Sequence, residues 1–263
     1  MSLSSSSIET PNPNGLRPIA EGQCPTLGTG KGTGIQAKGL WHICQTVSAF
    51  IWCLPAGLLL SGYATGDGNA PPTLSPWSLG VVELILALAA LRLLLVPVRQ
   101  LRWRHSVWLT LFWAVGTLLL HPFVPWWNRF PETQVFAFSM VVHWIFASCL
   151  VTQSNALVGA VGALIGDREL QEEAGVFFRS VWIMFLTMWT LVGIMITMAI
   201  MILDESSWYV AASLTLMRIR SYLFVTALVP LSLTIYLLWK AHRSCVAILT
   251  SHRRLSDRSA VEQ

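Results

Sequence analysis

The chain has 263 residues, of which 54% are hydrophobic and 11% are charged, and its formal net charge is +4. Soluble globular domains carry roughly 25% charged residues, so this composition excludes a water-soluble fold of useful size and indicates a protein embedded in lipid. The Lys and Arg residues form short clusters without the stacking aromatics of a nucleic-acid surface, so no nucleic-acid partner is expected.

The two ends of the chain differ from the middle. Residues 1–40 are rich in Ser, Gly, Pro, Thr and Asn and lack apolar periodicity. Such a segment cannot bury enough apolar surface to fold, so it is predicted to be a disordered cytoplasmic tail. Residues 240–263 carry five Lys and Arg residues and are predicted to form a basic cytoplasmic tail.

Six apolar stretches fill the region between the tails. A hydrocarbon core of about 30 Å takes about 20 helical residues, and lipid cannot hydrogen-bond a peptide group, so each stretch should form a helix. We predict an all-α polytopic integral membrane protein, a six-helix transmembrane bundle with short loops over residues 41–239. The predicted spans are 41–63, 77–98, 107–127, 135–151, 176–203 and 219–239.

The basic residues indicate an orientation. If both termini are cytoplasmic, 13 of the 17 Lys and Arg residues lie inside, in agreement with the positive-inside bias. The expected location is therefore the cell's inner (plasma) membrane. The stretch 135–151 is the most polar, and if it lay in the interface the count would be five spans with the C-terminus outside.

Three titratable residues lie within consecutive spans, at Glu83, His121 and His143. At about 1.5 Å per helical residue they lie about 7 to 12 Å below the predicted outer ends of their helices. Titratable groups in hydrocarbon are costly and often mark ion or proton paths. A Glu and two His can relay protons or bind a divalent metal, because imidazole titrates near neutral pH and ligates metals. The alternative is that each bonds a nearby carbonyl or reaches the interface.

Prolines predict irregular helices. Pro55 and Pro230 each remove an intrahelical hydrogen bond from the first and sixth spans. The third span ends in the sequence His121-Pro122-Phe123-Val124-Pro125, which predicts an irregular outer turn.

Small and acidic residues follow the fourth span. Gly159, Gly162 and Gly166 are predicted to form a helix-packing face, since small residues let helices approach closely. The next segment, Asp167 to Glu173, is the only concentrated acidic surface assigned to the cytoplasm. It is a possible docking site for a basic partner.

No enzyme signature was found among the hydrolase, metalloprotease and nucleotide-binding motifs, so the chain is expected not to be an enzyme. No cofactor or resident metal is expected either. Two histidines are sufficient as axial ligands of a haem, so His121 and His143 would qualify by chemistry, but Pro122 makes the geometry of this pair uncertain. The favoured function is a non-catalytic integral subunit or assembly factor of a larger membrane complex, with other integral membrane proteins or further copies of this chain as partners. The alternative is a small-solute, proton or metal-ion transporter or channel that uses Glu83, His121 and His143.

Overall fold

The computed structural model describes residues 37–64, 77–98, 100–130, 133–203 and 208–261. These residues form seven α-helices and no β-strand, which confirms the all-α prediction for this part of the chain. Residues 1–36 of the predicted disordered tail lie outside it, whereas residues 37–40 already belong to the first helix. The helices are α1 (Ala37–Ala64), α2 (Ser78–Leu93), α3 (Leu101–Leu120), α4 (Phe123–Arg129), α5 (Gln134–Ile165), α6 (Arg168–Leu203) and α7 (Trp208–Val261).

Four of the described helices contain a segment long and apolar enough to cross a membrane, as an integral membrane protein requires. Two predicted spans fall short of this standard. Helix α2 has 16 residues, which is about 24 Å at 1.5 Å per residue, and α3 begins with Arg102 and Arg104, which lower its hydropathy. Helix length and hydropathy therefore do not establish six spans. The four candidate membrane-spanning segments lie within Lys38–Gly62, Gln134–Ile165, Arg168–Met201 and Ser221–Ser251.

Helix α5 extends well beyond the predicted fourth span, through Ile165. Its polar residues after position 151 are compatible with a helix because their side chains find partners there. The Gln153 amide donates a hydrogen bond to the Ser106 carbonyl of α3 (3.3 Å). The Asn155 amide donates to the Thr234 hydroxyl of α7 (3.0 Å). A run of polar residues therefore does not end a helix whose polar groups are satisfied by its neighbours.

The predicted break at the end of the third span is confirmed. Helix α3 ends at Leu120, His121 and Pro122 form a turn, and the short helix α4 begins at Phe123. Pro125 lies in the first turn of α4, where a missing backbone N–H costs nothing. The turn therefore fixes His121 between two helices.

The six long helices pack in a closed order. In this ring, α1 contacts α2, α2 contacts α3, α3 contacts α5, α5 contacts α6, α6 contacts α7 and α7 contacts α1. Helix α5 also packs against α4 and α7. The apolar core is divided into two clusters, a larger one centred on α1, α2, α5 and α7 and a smaller one built by α4 to α7.

Two of the three predicted packing glycines lie between α5 and α6. A Cβ atom on Gly159 would lie 3.3 Å from the Ala174 Cβ, and one on Gly162 would lie 3.1 Å from the Gln171 backbone nitrogen. Gly166 does not extend this face, since nothing lies within 4 Å of its Cβ position. It has a φ of 78° and ends α5 in the left-handed conformation that favours glycine.

Replacing Gly162 by Leu should destabilise the protein, because the side chain would meet the backbone of α6 at a distance that requires the helices to separate. Overpacking of this kind costs about 1–3 kcal/mol. Gly193→Leu is the matched control, since nothing lies within 4 Å of the Gly193 Cβ position. Thermal unfolding in mild detergent measures both, and equal melting temperatures for the two variants would contradict the close packing.

Candidate functional site

Glu83 lies on the inward face of α2. The buried residues Leu79, Glu83, Leu86 and Ala90 follow one another at helical spacings of three or four, which places them on one stripe of the helix. The carboxylate is therefore carried into the bundle by the same periodicity that buries its apolar neighbours. Only 6% of the surface of Glu83 is exposed.

The structure brings Glu83, His121 and His143 together, and we call these residues the triad. The His143 Nε2 of α5 forms a hydrogen bond with the Glu83 Oε1 at 2.8 Å. His121, in the turn between α3 and α4, lies with Nδ1 3.5 Å from the Glu83 Oε2. Each histidine is 3% exposed. Three separate segments thus place three titratable groups in one buried contact.

The triad leaves polar atoms unsatisfied within the described part of the chain. The Glu83 Oε2, both ring nitrogens of His121 and the His143 Nδ1 have no hydrogen-bond partner there. Burying polar atoms without partners is costly, and native structures contain few of them. The arrangement therefore has spare capacity to bind a proton, a water molecule or a polar ligand.

Gly80 allows His121 to reach this position, and sequence reasoning did not identify it. A Cβ atom at Gly80 would lie 2.7 Å from the His121 Cδ2 and 2.8 Å from its Nε2. The glycine precedes Glu83 by three residues, so both lie on the same face of α2. The three-residue spacing between Gly80 and Glu83 is the sequence signal that could have indicated a side-chain ring packed against this face of α2.

A cavity of about 590 Å³ adjoins the triad. Glu83 and His143 belong to its wall, whereas His121 contacts Glu83 without lining the cavity. Its other walls come from both apolar clusters, so the cavity lies where the two parts of the core meet. Its apolar lining includes Leu54, Leu86, Leu150, Phe185, Met188 and Leu223.

The triad is a carboxylate–imidazole arrangement. Glu83 and His143 are in direct hydrogen-bond contact, and imidazole side chains exchange protons near neutral pH. Such a pair can hold a proton on either partner or release it, and this changes the charge of the cavity wall. Among the described residues, no group of three or more His, Cys, Asp or Glu side chains is arranged to hold a metal ion.

The acidic segment Asp167 to Glu173 contacts the chain's own helix α7. Lys240 donates hydrogen bonds to the Oε1 atoms of Glu169 (2.7 Å) and Glu173 (2.8 Å). Asp167 accepts a hydrogen bond from the backbone N–H of Leu170 at 3.0 Å and so caps the start of α6. The amino group of Lys240, from the same molecule, thus already forms hydrogen bonds with two of these carboxylates.

Comparisons with family models, curated proteins and solved structures find no match to the chain.

Replacing His143 by Ala should destabilise the protein, because it leaves the buried Glu83 carboxylate without its hydrogen-bond donor. The expected loss is on the order of 1–3 kcal/mol. His42→Ala is the control, since His42 is a partly buried histidine of α1 whose Nδ1 has no partner among the described residues. Chemical unfolding in detergent compares the two, and a smaller loss for His143→Ala than for His42→Ala would contradict the described hydrogen bond.

Proposed function

We propose that the protein is a proton-coupled transporter of a small solute, with the triad as its proton-binding site. The observation that carries this proposal is the buried contact of Glu83 with His121 and His143 at the wall of a large cavity. Intramembrane titratable residues in such positions commonly belong to proton or substrate paths. The proposal assigns no catalytic step and no cofactor to the site.

The coupling follows from the cost of charge in a buried site. Glu83 and His143 change the charge of the cavity wall when they gain or lose a proton. A change of charge in a dry environment is expensive unless another charge compensates for it. Protonation of the triad and occupation of the cavity are therefore linked, which is the requirement for proton-coupled transport.

We further propose that α2 and α3 cross the membrane with the four longer helices, so that the chain has six spans. Both helices lie alongside crossing segments and share hydrogen bonds with them. Thr46 of α1 donates to the Ala89 carbonyl of α2 (3.1 Å), and Ser106 of α3 accepts from Gln153 of α5. A short helix can span if the bilayer thins locally or flanking residues reach the interface. The proposed location is the plasma membrane, with both termini in the cytoplasm.

Single-cysteine labelling on a cysteine-free background tests this topology. Cysteines at Ala70 and Phe130 should react with an impermeant reagent from outside, and cysteines at Ala20, Glu172 and Thr250 only after the membrane is opened. The charge bias of the loops motivates this assignment. Outside reactivity at Thr250 would remove the six-span arrangement and favour five spans.

A second candidate function is an integral subunit or assembly factor of a membrane complex, with other integral membrane proteins or copies of this chain as partners. Helix α6 favours this second function, because only 17% of its most apolar stretch is buried within the bundle. The corresponding share is 33% to 39% for the other three candidate membrane-spanning segments. The packing glycines, however, contact another helix of this same chain, and most contacts of the acidic segment are also made within this chain. A basic partner at Asp167 to Glu173 remains part of this second proposal. Identification of chains that co-purify in mild detergent tests it.

The transport proposal predicts proton fluxes that depend on Glu83. Liposomes that contain the purified protein and a trapped pH-sensitive dye should show a change of internal pH when one class of solute is added outside. The solute panel should contain organic amines, amino acids, carboxylates and sugars. Glu83→Gln should lower the proton flux to that of protein-free liposomes, because it removes the ionisable group while keeping the size of the side chain.

Glu172→Gln is the control, since it makes the same chemical change at an exposed residue of α6. Its proton fluxes should equal those of the unmodified protein. If Glu83→Gln retained the full proton flux, the triad would not be the coupling site. If no solute class gave a proton flux, the transporter proposal would fail.

A further inference from the structure

We infer that the cavity beside the triad binds a small lipophilic organic cation, such as an amine with bulky apolar substituents, and that Glu83 is its counter-ion. This inference names the substrate class of the proposed transporter and rests on that proposal for transport. Binding itself can be tested separately. The size, charge and aromatic lining of the cavity each support this class.

The size and lining of the cavity fit an apolar molecule. Its volume of about 590 Å³ falls within the range of about 300–1,000 Å³ found for small-molecule sites. Leu and other apolar side chains from α1, α2, α5, α6 and α7 form most of its wall. A strongly hydrated solute such as a sugar would lose its water here without finding enough polar partners, whereas a molecule with apolar substituents would not.

The charge of the wall favours a cation over an anion. Among the described residues, the ionisable ones that line the cavity are Glu83, His143 and Cys53, and no Lys or Arg of this part of the chain lines it. His121 contacts Glu83 from the turn after α3. The Glu83 Oε2 is buried without a hydrogen-bond partner among the described residues, so the carboxylate attracts a cation in the cavity by its charge rather than through a bond at this oxygen. An anion would meet this carboxylate without a Lys or Arg on the described part of the wall to compensate for it.

Aromatic side chains complete the site. Trp144, Phe185 and Phe224 line the same cavity as Glu83. The faces of aromatic rings attract cations, most strongly where water is excluded. A carboxylate and several aromatic rings in one apolar cavity together favour a cation with apolar substituents over a neutral apolar molecule.

The surface between α1 and α7 provides a route into the cavity. Leu59 of α1 and Val225 of α7 line the cavity and are 52% and 62% exposed. Near this surface α1 and α7 are in close contact, since a Cβ atom at Gly62 would lie 2.9 Å from the ring of Phe224. A lipophilic molecule dissolved in the bilayer can therefore reach the cavity from the side of the bundle.

Cation and proton should compete for the triad. When the triad holds a proton, the combined charge of Glu83 and one imidazole is neutral, and a cation gains little from it. When the cation binds, the proton leaves for the aqueous solution, and the charge of the site is conserved. Binding should therefore displace protons wherever the triad holds them and weaken as the pH falls, because protons are then harder to displace.

Two ions of nearly equal shape and opposite charge provide the test. Equilibrium dialysis of the purified protein in detergent should show saturable binding of tetraphenylphosphonium beyond that of empty micelles, and no saturable binding of tetraphenylborate. Glu83→Gln should weaken tetraphenylphosphonium binding by about tenfold or more, as expected for loss of a buried counter-ion. In weakly buffered solution, binding to the unmodified protein should release protons.

Two further measurements guard against misfolded variants. Ala147 lines the cavity one turn after His143, so Ala147→Phe should block binding by filling the cavity while the triad is unchanged. Ala199→Phe, on a part of α6 that does not line the cavity, should bind normally. The pH dependence is measured on the unmodified protein and needs no variant.

Several results would overturn the inference: equal binding of both ions, absence of saturable tetraphenylphosphonium binding, or affinity unchanged in Glu83→Gln and Ala147→Phe. Its failure differs from that of the proposed function. If another solute class gave Glu83-dependent proton fluxes and tetraphenylphosphonium did not bind, transport would stand and the cation site would fail. If tetraphenylphosphonium bound as expected and no solute gave a proton flux, the cation site would stand and transport would fail.

Discussion

The inability of lipid to form hydrogen bonds is the constraint on which this structure depends. Every polar side chain that enters the bundle must find a partner on another helix or on its own backbone. Helix α5 satisfies most of these demands. It bonds α2 through His143, α3 through Gln153 and α7 through Asn155, and its Ser148 hydroxyl accepts a hydrogen bond from Trp189 of α6 (3.3 Å). The polar residues of α5 are thus the residues that hold it at the centre of the contacts.

The triad differs from these structural hydrogen bonds in one respect. Gln153 and Asn155 reach a backbone carbonyl and a hydroxyl, which do not titrate near neutral pH. Glu83 instead meets two imidazoles, and several of the atoms involved keep unused hydrogen-bonding capacity among the described residues. The small-residue contact at Gly80 brings His121 into this cluster. Part of the bundle is thus stabilised by neutral polar pairs, and part of it contains groups whose charge can change.

The sequence predicted the helices and the candidate residues better than their arrangement. Depth along each span singled out Glu83, His121 and His143, and the Pro122 break was predicted from backbone chemistry. Their convergence could not be predicted, because hydropathy does not encode which helices are neighbours.

The extension of α5 to Ile165 was missed since its polar residues have partners on other helices. Gly166 was assigned to packing because its spacing matched Gly162, although a positive φ decides its role. The cavity has no sequence signal, since it arises where two apolar clusters fail to merge.

The length of α7 has a mechanical consequence. This helix has 54 residues, which corresponds to about 81 Å at 1.5 Å per residue, while the hydrocarbon core is about 30 Å thick. It is therefore a rod that projects beyond the bilayer. Pro230 weakens it beside Ala227 and Leu231, two residues that line the cavity. The segment after Pro230 is held in the bundle by the buried residues Leu237, Leu238, Ala241 and Cys245 and by the Lys240 hydrogen bonds to α6. A change of angle at Pro230 must therefore move the helices packed against α7, so a bend beside the cavity is transmitted to the far end of α6.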